Sequence, residues 1–266
     1  MISPRMVLVR NVLVLWALAV ITPTGADNQT GSPAPVNPRS QFDRMTHFLS
    51  STQLLQTTAS MGYDVVQDSG QKIEFSERRR ITVARPDRLR VEMLRSNGEE
   101  GMVLFDGQRI TVYSAAHEGY AEAEIPGSLD EVLVHFLRDL KMRMPLALMF
   151  SGRFPQEMEK RLEDLTFVEV SVLTDTPCVH LAGRTDQVDF QVWIPQTGDP
   201  LPRRLTITYR DQEGQPEFWA DFSNWNIAPT ISSSDFTFTP PAGSERIPFL
   251  AEMDRVLADE NRKGSN

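Results

Sequence analysis

The 266-residue chain holds one cysteine, Cys178. An internal disulfide is therefore excluded, and a hydrophobic core must carry the fold alone. The surrounding Pro177-Cys178-Val179-His180-Leu181 alternates as a strand does, so a buried, inert thiol is expected. Histidine is also scarce. His47, His117, His135 and His180 are never three or four residues apart, which excludes the helical metal-binding spacing. There is no Gly-rich phosphate loop and no Gly-x-Ser-x-Gly elbow. Ser151-Gly152 follows a helical pattern, not a strand. Glu99-Glu100 falls in a turn, and Asp186 and Asp189 flank a strand start. Glu157, Glu159, Glu163 and Asp164 lie beside Lys160 and Arg161 and read as a solvated face. Acid/base work needs carboxylates at set separations across a cleft, which neighbours in sequence do not provide. No catalytic residue, metal site or cofactor is assigned, and a non-enzymatic role is expected. A hydrolase is the weakest of the alternatives.

Positive charge is in deficit, with 27 basic against 36 acidic residues and a formal charge of −9. A general attraction to nucleic acid or anionic lipid is thereby excluded. Long apolar runs are missing too. The longest, Val12 to Ile21, is about ten residues, too short to span a bilayer. It follows Arg5 and Arg10 and precedes Thr24-Gly25-Ala26, the layout of a secretory signal peptide cut after Ala26. An uncleaved N-terminal anchor is the competing reading. No cysteine stands near the cut, so no lipid anchor is expected. Cleavage would leave 240 residues with 25 basic and 36 acidic side chains, a formal −11. The expected location is the periplasm.

Residues 27–39 are rich in Asn, Gly, Ser and Pro and read as a flexible tether. Residues 40–260 read as one domain, followed by a disordered tail, 261–266. Phe42, Met45, Phe48 and Leu49 recur at helical spacing over about Ser40 to Thr52. From Leu54 the period becomes two. Alternating segments then recur with turns at Asp68-Ser69-Gly70, Asn97-Gly98 and Asp106-Gly107. A helical insert, 128–162, interrupts them. Ser128 and Glu131 form a capping box, and Leu129, Val132, Leu133, Phe136, Leu137 and Leu140 form one stripe. Alternation returns from Thr166 to Trp225, with Phe236 to Thr239 as a last short strand. Phe249, Leu250, Met253, Val256 and Leu257 suggest a C-terminal helix by spacing. The expected fold is α+β: a single curled antiparallel sheet of about 10–11 strands, a half-barrel, with helices covering its concave face.

The alternation assigns a face. Ile73, Phe75, Val91, Met93, Ile110, Val112, Phe190, Val192, Leu205 and Ile207 are expected to line a cavity. Leu133, Phe136, Leu137, Met144 and Met149 of the insert are expected to close it. Arg79 shares the parity of Ile73, Phe75, Ile81 and Val83. It either snorkels, with a wet head, or meets the polar head of an apolar ligand. Core packing and a lipid-lined groove both account for the aromatic residues on the two faces around Trp193.

Several segments in order resemble a known family. They are Asp68-Ser69-Gly70-Gln71-Lys72, Arg85-Pro86-Asp87-Arg88-Leu89-Arg90, and Tyr113 to Tyr120 after Asp106-Gly107. Later come His180-Leu181, Val188 to Ile194, Leu201-Pro202-Arg203-Arg204-Leu205 with Thr206 to Tyr209, and Phe236 to Pro240. Together, over about Gln41 to Ile247, they resemble bacterial predicted periplasmic proteins of unknown function (DUF2092-like). That family is similar to the lipoprotein-carrier superfold of LolA, LolB and the mycobacterial LppX-type proteins. The resemblance implies a curled half-barrel over helices with an apolar cavity between, and a hydrophobic-ligand role. It transfers no residue motif. The expected partner is a lipid or acylated protein, with no nucleic acid and no stable membrane anchor after cleavage. The alternative is an envelope structural or interaction protein whose cavity is filled by its own side chains. N-terminal sequencing of the periplasmic fraction is expected to begin at or close to Asp27. Full-length chain recovered only in the inner membrane would overturn the leader assignment.

Overall fold

The computed structural model describes residues 36–135 and 144–249. The leader, most of the tether, Phe136, Leu137 and residues 250–266 lie outside the described residues. A first helix, α1 (Pro38–Ser51), starts at Asn37, whose side chain accepts from the Ser40 amide at 3.0 Å, with Pro38 at the first helical position. Six strands follow: β1 (Leu54–Val66), β2 (Lys72–Ala84), β3 (Arg88–Arg95), β4 (Glu100–Phe105), β5 (Arg109–Ser114) and β6 (Gly119–Glu124). The insert supplies α2 (Leu129–Val134), α3 (Ala147–Phe150) and α4 (Phe154–Arg161). Ser128 and Glu131 close the capping box reciprocally. Then come β7 (Leu162–Ser171), β8 (Cys178–Thr185), β9 (Val188–Pro195), β10 (Arg204–Tyr209), β11 (Glu217–Asn226) and the short β12 (Glu245–Ile247).

All twelve strands form one curled, unclosed sheet in the order β12-β6-β5-β4-β3-β2-β1-β11-β10-β9-β8-β7. Every pairing is antiparallel except β12 on β6. The N-terminal and C-terminal meanders therefore meet at β1 and β11, with the long strands at the centre. Two expectations need correction. The strand number is twelve, because three residues of β12 add a parallel edge. Phe236 to Thr239 is not a strand. Ser233–Phe236 is a 3-10 turn, where Ser232 and Asp235 cap each other and so hold the chain in a turn.

Register explains the core. Leu55, Ala59, Met61 and Tyr63 of β1 stand opposite Val83, Arg79, Glu77 and Phe75 of β2. That parity is the concave face. The helices lay their apolar stripes against it: Phe42, Met45 and Leu49 from α1, Leu129 and Val132 from α2, and Phe154 and Met158 from α4. These side chains and the strand residues beneath them form one core cluster. The convex face carries a smaller one, Ala84, Leu104 and Phe236. Cys178 is fully buried, and burial pushes its thiol pKa up.

Arg85, just past β2, fastens the helix layer to the sheet. Its guanidinium donates to the carbonyls of Thr52 (3.1 Å), Leu49 (3.2 Å) and Phe150 (2.8 Å). The C-terminal ends of α1 and α3 are thus satisfied by one side chain. Burial lowers the Arg85 pKa, while the charge of Asp130 works to raise it. Asp130 in turn accepts from Ser151 Oγ (2.9 Å) and the Gly152 amide (2.7 Å), holding the α3–α4 connection. Arg85→Met leaves three carbonyls without their donor, and is expected to cost about 3 kcal/mol in urea unfolding of the protein. A loss below about 0.5 kcal/mol would show that the three bonds do not hold the layer.

Candidate functional site

An apolar cavity of about 320 Å³ opens between the helix layer and the C-terminal half of the sheet. From below it is lined by Phe190 and Val192 of β9 and by Leu205, Ile207 and Tyr209 of β10. Phe42 and Met45 of α1, Met144, Pro145, Leu148 and Met149 around α3, and Phe154 and Met158 of α4 close it. The floor follows from register. Leu205 stands opposite Val192 and Ile207 opposite Phe190, so alternate residues of adjacent strands present one continuous apolar surface. Four methionines suit a wall that must fit variable shapes, because an unbranched thioether repacks easily.

The end of the cavity is polar. Arg161, Thr185, Asp186 and Gln187 stand there. The β8–β9 turn is fixed by Thr185 Oγ, which accepts from the amides of Gln187 (3.3 Å) and Val188 (3.2 Å). Arg210 braces it, donating to the carbonyls of Thr185 and Asp186. Arg161 is held by Glu157 at 2.8 Å. Burial raises the Glu157 pKa, but its hydrogen bonds to Arg161 and Lys160 outweigh this and hold the carboxyl below its usual range.

The structure distributes the expected residues as follows. Phe190, Val192, Leu205, Ile207, Met144 and Met149 come together around the cavity. Ile73, Phe75, Val91, Met93, Ile110 and Val112 share the concave parity through the pairings of β2 to β5, but do not line it. Leu133 is in the core beside them. Phe136 and Leu137 lie outside the described residues. Arg79 is on the concave face opposite Ala59 and Met93, away from the cavity. Its guanidinium meets Glu77, which leaves its Nε buried without a hydrogen-bond partner. The site therefore occupies one end of the concave face, where α1 and α4 straddle β9 and β10.

Several lining residues carried no site signal in the sequence. Phe42 and Met45 read as ordinary helix stripe, and Leu148, Phe154 and Met158 were assigned no role. Gly183 is the least legible. A Cβ there would lie 2.2 Å from Phe190 Cζ, so only glycine lets the ring lie flat over β8. In that pose the Phe190 ring sits 5.6 Å from that of Phe42 and shapes the cavity floor. Gly183→Ala must displace Phe190 and is expected to destabilise the protein by about 1–3 kcal/mol in urea unfolding. An unchanged unfolding midpoint would show that the ring has free room to move.

Among the described residues, no group of three or more His, Cys, Asp or Glu could hold a metal ion, and no helix is long and apolar enough to cross a membrane. The model of the family described as predicted periplasmic protein (DUF2092) matches residues 39–250. The chain belongs to that family, and the protein is periplasmic. No curated protein matches the sequence. Among solved structures, it is similar to an uncharacterized conserved protein from Thermus thermophilus (TM-score 0.46, 12% identity, 79% of this chain and 98% of that one). It is also similar to the lipoprotein LppX of Mycobacterium tuberculosis (TM-score 0.45, 16% identity, 74% and 100%). A LolA superfamily protein from Nitrosomonas europaea is similar as well (TM-score 0.36, 9% identity, 77% and 99%).

Proposed function

We propose that this protein is a non-enzymatic periplasmic binding protein that carries a lipid or acyl chain between its helix layer and its curled sheet. The observation that carries this reading is the methionine-rich apolar cavity with a polar end. Its volume, about 320 Å³, falls at the lower end of the range for small-ligand sites, so one chain fits better than several. Burying a methylene contributes about 0.8 kcal/mol, and roughly eight to ten methylenes leave micromolar affinity after the costs of association. The chain would lie along Val192, Leu205 and Ile207, with its head at the polar end beside Arg161. Release is passive: the helices reclose on the sheet as the chain leaves. Residues 40–260 are taken as the single carrier domain.

A fluorescent fatty-acid probe is expected to bind the mature protein with micromolar affinity. Leu148 is only half-buried at the cavity, so Leu148→Trp fills the space without placing a charge in the core. That substitution is expected to weaken the probe by at least about tenfold while circular dichroism stays unchanged. A folded wild-type protein that binds no apolar probe would sink the carrier reading and favour the envelope interaction protein.

A further inference from the structure

A second opening lies on the other face of the sheet. It is a groove of about 670 Å³ between β2–β4 and the segment Thr237–Pro241. We propose that this groove binds the phosphoryl group of an anionic amphiphile, with Arg78 and Arg80 as its cationic floor.

The two arginines stand two residues apart on β2, so both point to the convex side, opposite Ser60 and Thr58 of β1. Both are exposed. Among the described residues, every other arginine on a strand has a carboxylate oxygen within 4.0 Å. On β3, for example, Arg90 is held by Glu92 at 2.8 Å. Arg78 and Arg80 are the exceptions. The Arg80 side chain donates only to Gln56 Oε1, at 3.3 Å, and the Arg78 side chain has no ion pair or hydrogen bond among the described residues. Arg90, Glu92 and Glu100 also line the groove; Glu92 stands opposite Arg80 in register but is engaged by Arg90, so Arg78 and Arg80 leave the groove net positive in a chain with 36 acids. The guanidinium fork matches a phosphate bidentately, and two forks on one strand face can share one phosphoryl group.

The walls define the rest of the ligand. Leu94, 40% exposed, is paired to Arg78 across β2 and β3. Met102, Tyr113 and Phe238 continue an apolar wall beside it. Phe238 packs against the rings of Tyr113 (6.0 Å) and Tyr120 (5.2 Å), which places the far bank of the groove. A charged floor beside an apolar wall suits a phosphate ester with an apolar body, and a free phosphate would share only the floor. The site is independent of the carrier reading, since it lies on the convex side of β2–β4, whereas the cavity lies on the concave side over β9 and β10.

The test is calorimetric titration of the mature protein with dihexanoyl phosphatidic acid below its aggregation concentration, and separately with inorganic phosphate. The lipid phosphate is expected to bind. Arg78→Gln/Arg80→Gln is expected to weaken it by at least about tenfold, the loss of charge-assisted hydrogen bonds. Leu94→Asp should weaken the lipid as well. If inorganic phosphate binds with equal affinity and the same arginine dependence, and Leu94→Asp has no effect, the site serves a free phosphate and the amphiphile is overturned. If the arginine substitutions leave both ligands unchanged, or neither ligand binds, the whole proposal is overturned. Should the double variant unfold, Arg78→Gln alone gives the same reading, because that side chain holds no structural contact. Binding of the fatty-acid probe to the concave cavity is expected to survive all these substitutions, so failure here is distinct from failure of the carrier reading.

Discussion

The concave side of this protein depends on one half-buried guanidinium. An open sheet with an apolar face must be covered, and helices cover it only if their ends are satisfied. Arg85 does this for α1 and α3 together, from a position fixed by the end of β2. Asp130 extends the same fastening to the α3–α4 connection. The layer is therefore pinned at one end, near β2. At the other end, over β9 and β10, it rests, among the described residues, on side-chain packing and on a bond from Arg44 to the Pro195 carbonyl (2.9 Å). The cavity lies at that less fastened end. A hinge-like asymmetry follows from the bonding pattern alone, with polar fastening where the layer is fixed and adaptable apolar contact where a ligand enters.

An unclosed sheet also leaves two edges. One is short, the three residues of β12. The other, β7, is ten residues long and exposes Phe167, Val168 and Val170, with Val172 and Leu173 beyond it. Such an edge invites pairing with another chain. Its pairing with β8 is broken by irregularities at Leu162/Asp164 and Phe167/Glu169, and Glu163, Asp164 and Glu169 are spread along it. Bulges and charge of one sign oppose edge-to-edge association. The acidic balance of the chain acts in the same direction.

The two faces were legible in the sequence to very different depths. Strict alternation assigned Ile73, Phe75, Val91, Met93, Phe190, Val192, Leu205 and Ile207 to one parity, and the register places them all on the concave face. This works because a strand's period of two is local. Which part of the face stays open is not local. It depends on where α1 and α4 seat, and the seating is set by Arg85, Phe42 and Phe154, whose partners are far away in sequence. Gly183 was silent for the same reason: its meaning lies in Phe190 on the next strand. The Phe236 segment was misread because alternation over four residues is weaker than the reciprocal capping of Ser232 and Asp235. Arg78 and Arg80 stood out only as a basic run. Their lack of carboxylate partners appears once neighbouring strands are in place.

The central claim is that the space between helices and sheet holds a ligand and is not merely imperfect packing. Native mass spectrometry of the mature protein, purified from the periplasm without detergent, tests it most directly. The account predicts a population carrying one lipid-sized adduct that organic solvent extracts and that Leu148→Trp abolishes. An unliganded mass for the wild-type protein under those conditions, with a stable protein partner in place of the lipid, would contradict it.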